Sequence, residues 1–200
     1  MAFTLDIRSD VRAVNAKLGI LAQSIRDKAI ARSLNETIAK GKTHMAKEIT
    51  SEYRLTSAKV KERLIISRAK GTGGFGNLRL TAELRGMGKG RKKRAMNVIA
   101  FVYGRRPRPG KKGEPPLMVK IKRAGSPKPI KGAFIGNKGR TVFQRIGESR
   151  LPIKAVTTGD VPQMFNQRRI NTLVRSTMQR DFAMTYERNA RFYLARFNAR

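Results

Sequence analysis

The spacing of apolar residues changes twice along this chain, and that change limits the fold more than any other feature. Val11, Val14, Leu18, Leu21 and Ile25, followed by Ile30, Leu34, Ile38, Met45 and Ile49, recur at the spacing of one helix face. A phase shift near Asp27 to Ala31 is a point at which this long helix can break once. Ser9 or Asp10 suits its N-cap. Gly41 marks either a bend or close packing, because an interior glycine weakens a helix by about 1 kcal/mol relative to alanine. A second helix is expected over Ser57–Lys70, with Val60, Leu64 and Ile65 on one face. The Tyr53–Thr56 link has the look of a helix-turn-helix, yet any compact protein uses such links.

Beyond Gly71–Gly76 the period becomes two. Leu78, Leu80, Ala82 and Leu84 alternate with Arg79, Thr81, Glu83 and Arg85, as in a half-buried strand. Val98–Tyr103 is apolar on both faces and suits a central strand, and Leu117, Val119 and Ile121 define a third. Ala133–Ile135 and Thr141–Phe143 flank the turn signal Gly136-Asn137-Lys138-Gly139 and predict a hairpin. Helical spacing returns from Val161-Pro162 through Phe165, Leu173, Val174, Met178, Phe182, Tyr186, Tyr193 and Phe197. Packing explains this stripe better than base stacking. The fold class is therefore α+β: long N-terminal helix or helices, a central antiparallel sheet with extended basic loops, and a C-terminal helix. One domain over 1–200 is expected, helical over 9–70, sheet and loops over 77–146, and linker with terminal helix over 147–200.

Two connections within the sheet region are strongly basic. One carries Lys89, Arg91, Lys92, Lys93 and Arg94, and the other Arg105, Arg106, Arg108, Lys111 and Lys112. They belong to a chain with 45 basic and 13 acidic residues and a formal charge of +32. That charge disfavours a compact free monomer, and a polyanion that releases counterions on binding is the natural compensation. DNA phosphates are the expected partner of both loops, with docking onto an acidic protein the competing reading. Neither loop has the planar amides that read base edges, so contact is expected to be independent of sequence.

Catalytic and cofactor chemistry is not expected. Gly71–Gly76 and Gly86–Gly90 lack the order and the strand-to-helix setting of a phosphate cradle. His44, the only histidine, has Glu48 one helical turn on, and a local polar contact is the simpler reading. Glu48 and Glu52 are the closest helical pair of acids, too few for a nuclease metal site. With no cysteine the fold must hold by packing, and a reducing compartment is compatible. No apolar run approaches a membrane span and no export signal is evident, so a soluble chain without a membrane partner is expected.

One segment is also familiar. Gly132-Ala133-Phe134-Ile135, Val142-Phe143-x-Arg145, Ser149-Arg150-Leu151-Pro152-Ile153 and Val161-Pro162-Gln163-Met164 resemble, in order and spacing, the prophage minor tail protein Z family, the tail completion proteins of lambda-like phages. Glu52-Tyr53 followed by Val60-Lys61-x-x-Leu64 resembles the N-terminal half of that family more loosely. The likeness is specific over 115–185 and does not include the basic loops. Thr158-Gly159-Asp160 departs from it, standing where a Gly-Pro-Ser-like turn is expected.

The resemblance implies a non-enzymatic virion protein acting at the head-proximal end of a long tail. It implies a ring of six at the neck, assembled in the host cytoplasm beside tail terminator, tail tube or head–tail connector proteins. Six copies would bring on the order of 190 positive charges around the passage that a duplex DNA end enters. Phe134, Phe143, Arg150, Leu151, Pro152, Ile153, Val161, Pro162 and Met164 are the candidate assembly interface. A sequence-independent nucleic-acid-binding protein of nucleoid or ribosomal type is the competing class, since charge alone permits it equally.

Overall fold

A computed structural model describes residues 2–3, 23–70, 82–86, 95–104, 115–147 and 149–199. The chain divides into two compact units. The first comprises Met1–Ala46, Leu64–Met87 and Phe165–Arg200; the second comprises Lys47–Arg63 and Gly88–Met164.

The long N-terminal helix α1, Gln23–Glu52, is unbroken across Asp27–Ala31. Its buried positions Ile25, Ala29, Leu34, Ile38, Met45 and Ile49 keep one apolar stripe. The long C-terminal helix, Arg168–Asn198, buries Ile170, Val174, Met178, Phe182 and Tyr186 at a constant spacing of four. In the first unit the two helices run antiparallel, because Ser33 lies against Thr185 and Asn189 while Gly41 lies against Met178. Gly41 thus serves close packing. A Cβ there would sit 2.9 Å from Met178 Cε and closer still to its sulfur. Asn189 Nδ2 donates to Ser33 Oγ at 2.9 Å and Ser33 Oγ donates to the Ala29 carbonyl, so these buried polar groups are matched.

The second helix is shorter than its spacing predicts. It covers Ser57–Glu62 (α2), and Leu64–Ser67 is a strand, β2. The β-branched Ile65 and Ile66 favour a pleated surface, and pairing with Glu83–Gly86 (β3) in the register Leu64↔Gly86 to Ser67↔Glu83 overrides helix propensity. Ala2–Phe3 (β1) completes that sheet in the order β1-β3-β2. The part of the predicted strand from Leu78 to Thr81 lies outside the described residues.

The expected single central sheet is divided into small antiparallel ones. Val98–Tyr103 is not one strand. Ala95–Asn97 (β4) leads into a 3-10 turn, Val98–Phe101, and only Val102–Tyr103 (β5) is extended. Asn97 causes the break. Its Oδ1 accepts from Ile99 N at 3.0 Å and Val142 N at 2.9 Å, and its Nδ2 donates to the Val142 carbonyl at 3.1 Å. One side chain therefore stands in for a ladder partner while capping the turn. Leu117–Val119 (β6) pairs with β5 and with Lys128–Ile130 (β7).

The predicted hairpin is present as Ala133–Gly136 (β8) and Thr141–Arg145 (β9), joined through Asn137, Lys138 and Gly139, all at positive φ. Ile153–Ala155 (β10) extends it, and Thr157–Gly159 (β11) pairs with β4. The departure at Thr158-Gly159-Asp160 is therefore strand followed by cap: Asp160 Oδ1 accepts from Val161 N at 2.6 Å as Val161–Phe165 (α3) begins. The C-terminal helix Arg168–Asn198 becomes α4.

Candidate functional site

In an antiparallel ladder, residues directly opposite one another project to the same side. The registers Phe134↔Phe143, Ala155↔Phe143 and Ile153↔Arg145 therefore put Phe134, Phe143, Arg145, Ile153 and Ala155 on one face of the β8-β9-β10 sheet. Val142, on the opposite face, is fully buried and marks the inner side. The outer face is held together by its own side chains. The Phe134 and Phe143 rings lie 6.0 Å apart, and the Arg145 guanidinium sits 5.8 Å from the Phe134 ring. Phe143 covers Gly136, where a Cβ would approach its ring to 3.0 Å.

The loop from β9 to β10 adds two exposed apolar side chains beside this sheet. Ile146 is 61% exposed and Leu151 is 66% exposed. Ile146 N donates to the Pro152 carbonyl at 3.2 Å, which closes the loop, and Arg150 beside Leu151 is exposed. Of the nine candidate interface residues, Phe134, Phe143, Arg150, Leu151, Pro152 and Ile153 fall on this sheet or its loop. Val161 and Met164 are buried and present no surface, and Pro162 is half-buried in the first turn of α3. Those last three hold the end of the segment rather than its outer face.

Asp160 anchors that end. Its carboxylate is wholly buried, pairs with Arg63 from the end of α2, and caps α3. Arg63 was not distinguishable from the surrounding cations in the sequence. Only the fold brings it to a buried acid.

All ten candidate DNA-contacting residues, Lys89, Arg91, Lys92, Lys93, Arg94, Arg105, Arg106, Arg108, Lys111 and Lys112, lie outside the described residues. The described residues at the foot of the second loop carry a cluster that sequence spacing missed. The Arg54 guanidinium lies 4.6 Å from the Tyr103 ring and Lys120 Nζ lies 5.8 Å from it. Lys122 reaches Glu52 at 3.5 Å and lies 6.0 Å from the Tyr53 ring, while Arg123 Nε donates to the Thr50 carbonyl at 2.6 Å.

In the first unit a shallow groove of about 550 Å³ includes Lys28, Arg32, Asn35, Glu36, Arg68 and Tyr193 among its lining residues. Its polar groups are largely matched internally. Arg32 pairs with Glu36 at 3.0 Å, Arg188 pairs with the same carboxylate, and Asn35 exchanges hydrogen bonds with the Ala69 backbone. Hydrogen bonds to Glu36 and Tyr193 raise the Arg32 guanidinium above its ordinary value. Among the described residues, no three His, Asp or Glu side chains gather as a metal site, and no helix is long and apolar enough to cross a membrane.

The family described as prophage minor tail protein Z matches residues 11–196. No curated protein and no solved structure matches the chain.

Proposed function

The chain belongs to the prophage minor tail protein Z family, and we propose that it completes the head-proximal end of a long phage tail. Membership makes it a phage minor tail protein, a structural component of the virion tail. In the proposed role, copies form a ring of six at the head–tail junction, between head–tail connector, tail terminator or tail tube proteins, after assembly in the host cytoplasm. No catalytic step is required of it.

The observation that carries this reading is the outer face of β8-β9-β10. Phe134, Phe143, Ile153 and Ala155 line one sheet face on which the two rings are half-buried and Ile153 and Ala155 are exposed, and the adjoining loop exposes Ile146 and Leu151. Apolar side chains gathered in this way mark a surface that is buried in an assembly. The charge of +32 supports contact with the DNA end through phosphates, with the loops around Lys89–Arg94 and Arg105–Lys112 as the principal cations.

Complementation of a phage lacking this chain tests the reading. Phe143→Lys/Ile153→Lys is expected to leave tails that fail to join heads, while the purified variant keeps the wild-type circular dichroism spectrum. Fully infectious particles would refute the assembly role of this face. Neutralising Lys92, Lys93, Arg105 and Arg106 together is expected to give particles that do not retain the DNA end in the tail; normal retention would refute the DNA role. A wild-type chain that binds RNA as a monomer and never enters tails would instead favour the nucleoid or ribosomal class.

A further inference from the structure

We propose that Arg54, Lys120 and Tyr103 form a contact site for the phosphodiester backbone of duplex DNA. The inference rests on the DNA role proposed above and gives it a fixed location on the folded part of the second unit.

Each residue is positioned by backbone. Arg54 N donates to the Ile121 carbonyl at 2.8 Å, and Lys120 N donates to the Phe101 carbonyl at 2.9 Å. Tyr103 pairs with Met118 in the β5–β6 ladder. Arg54 and Lys120 thus flank one aromatic ring that is 41% exposed. The face of that ring attracts both cations, but the ring carries no net charge with which to neutralise them.

The neighbouring cations show what is unusual here. Lys122 has the Glu52 carboxylate, and Arg123 is hydrogen-bonded to the Thr50 carbonyl. Among the described residues, neither Arg54 nor Lys120 has a carboxylate within ion-pair distance, and Arg54 Nη1 is enclosed without an acceptor. Two like charges held on one ring repel each other, and an anion placed against both relieves that repulsion.

Sequence identifies the anion as a polyanion. Gly104 follows Tyr103 directly, and Arg105, Arg106, Arg108, Lys111 and Lys112 come next in the chain. Five further cations within eight residues of sequence suit the repeated charges of a phosphate backbone. Arginine donates to phosphate oxygens through a planar fork, whereas lysine acts as a point charge; neither arrangement here reads a base.

The test is fluorescence anisotropy of the full chain with a labelled duplex of about 30 bp, between about 0.05 and 0.3 M NaCl. Arg54→Gln/Lys120→Gln is expected to make the salt slope shallower by about 1.8 and to weaken binding on the order of tenfold or more near physiological salt. Arg54→Lys/Lys120→Arg keeps the charges and is expected to stay close to wild type. Lys128→Gln/Arg140→Gln removes equal charge from exposed positions in β7 and the β8–β9 turn and is expected to change the slope less. The site is refuted if the wild type binds duplex and Arg54→Gln/Lys120→Gln binds with the same slope and affinity. It is also refuted if the charge-preserving variant loses as much as the neutral one, or if the cluster affects poly-glutamate binding but not DNA. A wild type with no duplex affinity refutes the underlying DNA role itself.

Discussion

Replacing Asp160 by alanine should destabilise the second unit by more than an ordinary surface change. The carboxylate has no exposed surface and its Arg63 partner is only 15% exposed, so loss of the acid leaves a largely desolvated guanidinium unpaired. Breaking a pair in such a setting costs about 3–5 kcal/mol, and the lower end applies because Arg63 keeps some access to water. The acceptor for Val161 N is lost as well. For a chain of this length, about 3 kcal/mol corresponds to a fall in Tm of roughly 6–12 °C. Arg63→Met should cost a similar amount by stranding the carboxylate. The double variant Arg63→Met/Asp160→Ala should cost clearly less than the sum, because no buried charge is left unpaired. Differential scanning calorimetry of the four proteins measures the cycle, and amide exchange at Val161 reports the lost cap locally. A Tm for Asp160→Ala within about 2 °C of wild type, or strictly additive costs, would refute the claim that the pair fixes the end of β11 against α2.

Further outcomes follow from the same contacts. Gly41→Val should lower stability by about 1–3 kcal/mol because its side chain overlaps Met178, and Met178→Ala should recover part of that loss; urea unfolding measures both. Asn97→Ala should cost about 2–4 kcal/mol, since one side chain satisfies three backbone groups, and it should accelerate amide exchange at Ile99 and Val142. Phe143→Lys should change stability by less than about 1.5 kcal/mol, because the ring is only half-buried, yet it should abolish addition to tails in an assembly assay.

The α+β architecture was legible because the hydrophobic period changes at Gly71–Gly76 and again near Val161. Gly41 did not interrupt α1, since the neighbouring helix uses the space its missing Cβ leaves. The end of α2 was hidden because Leu64 and Ile65 continue a helical spacing while their pairing partners lie on β3, about twenty residues further along. Asn97 was equally opaque. It precedes an apolar run that alone reads as a strand, and its bonds to Val142 cross a sequence distance no local pattern encodes.

The candidate site divides along the same line. Phe134 and Phe143 lie an even number of residues to either side of a readable turn, so their shared face could be inferred, whereas Val161 and Met164 carry the same apolar character and are buried. The Arg54–Tyr103–Lys120 cluster joins three separate elements. No spacing rule would have assembled it.

Cryo-electron microscopy of the head–tail junction in intact particles would show where this chain sits. Its density is expected as a ring at the head-proximal end of the tail, with the Phe134–Phe143–Ile153 face covered by a neighbouring subunit and the basic segments around Lys89–Arg94 and Arg105–Lys112 turned toward the DNA passage. A neck in which the chain is absent, or in which that face is open to solvent, would contradict the proposed role.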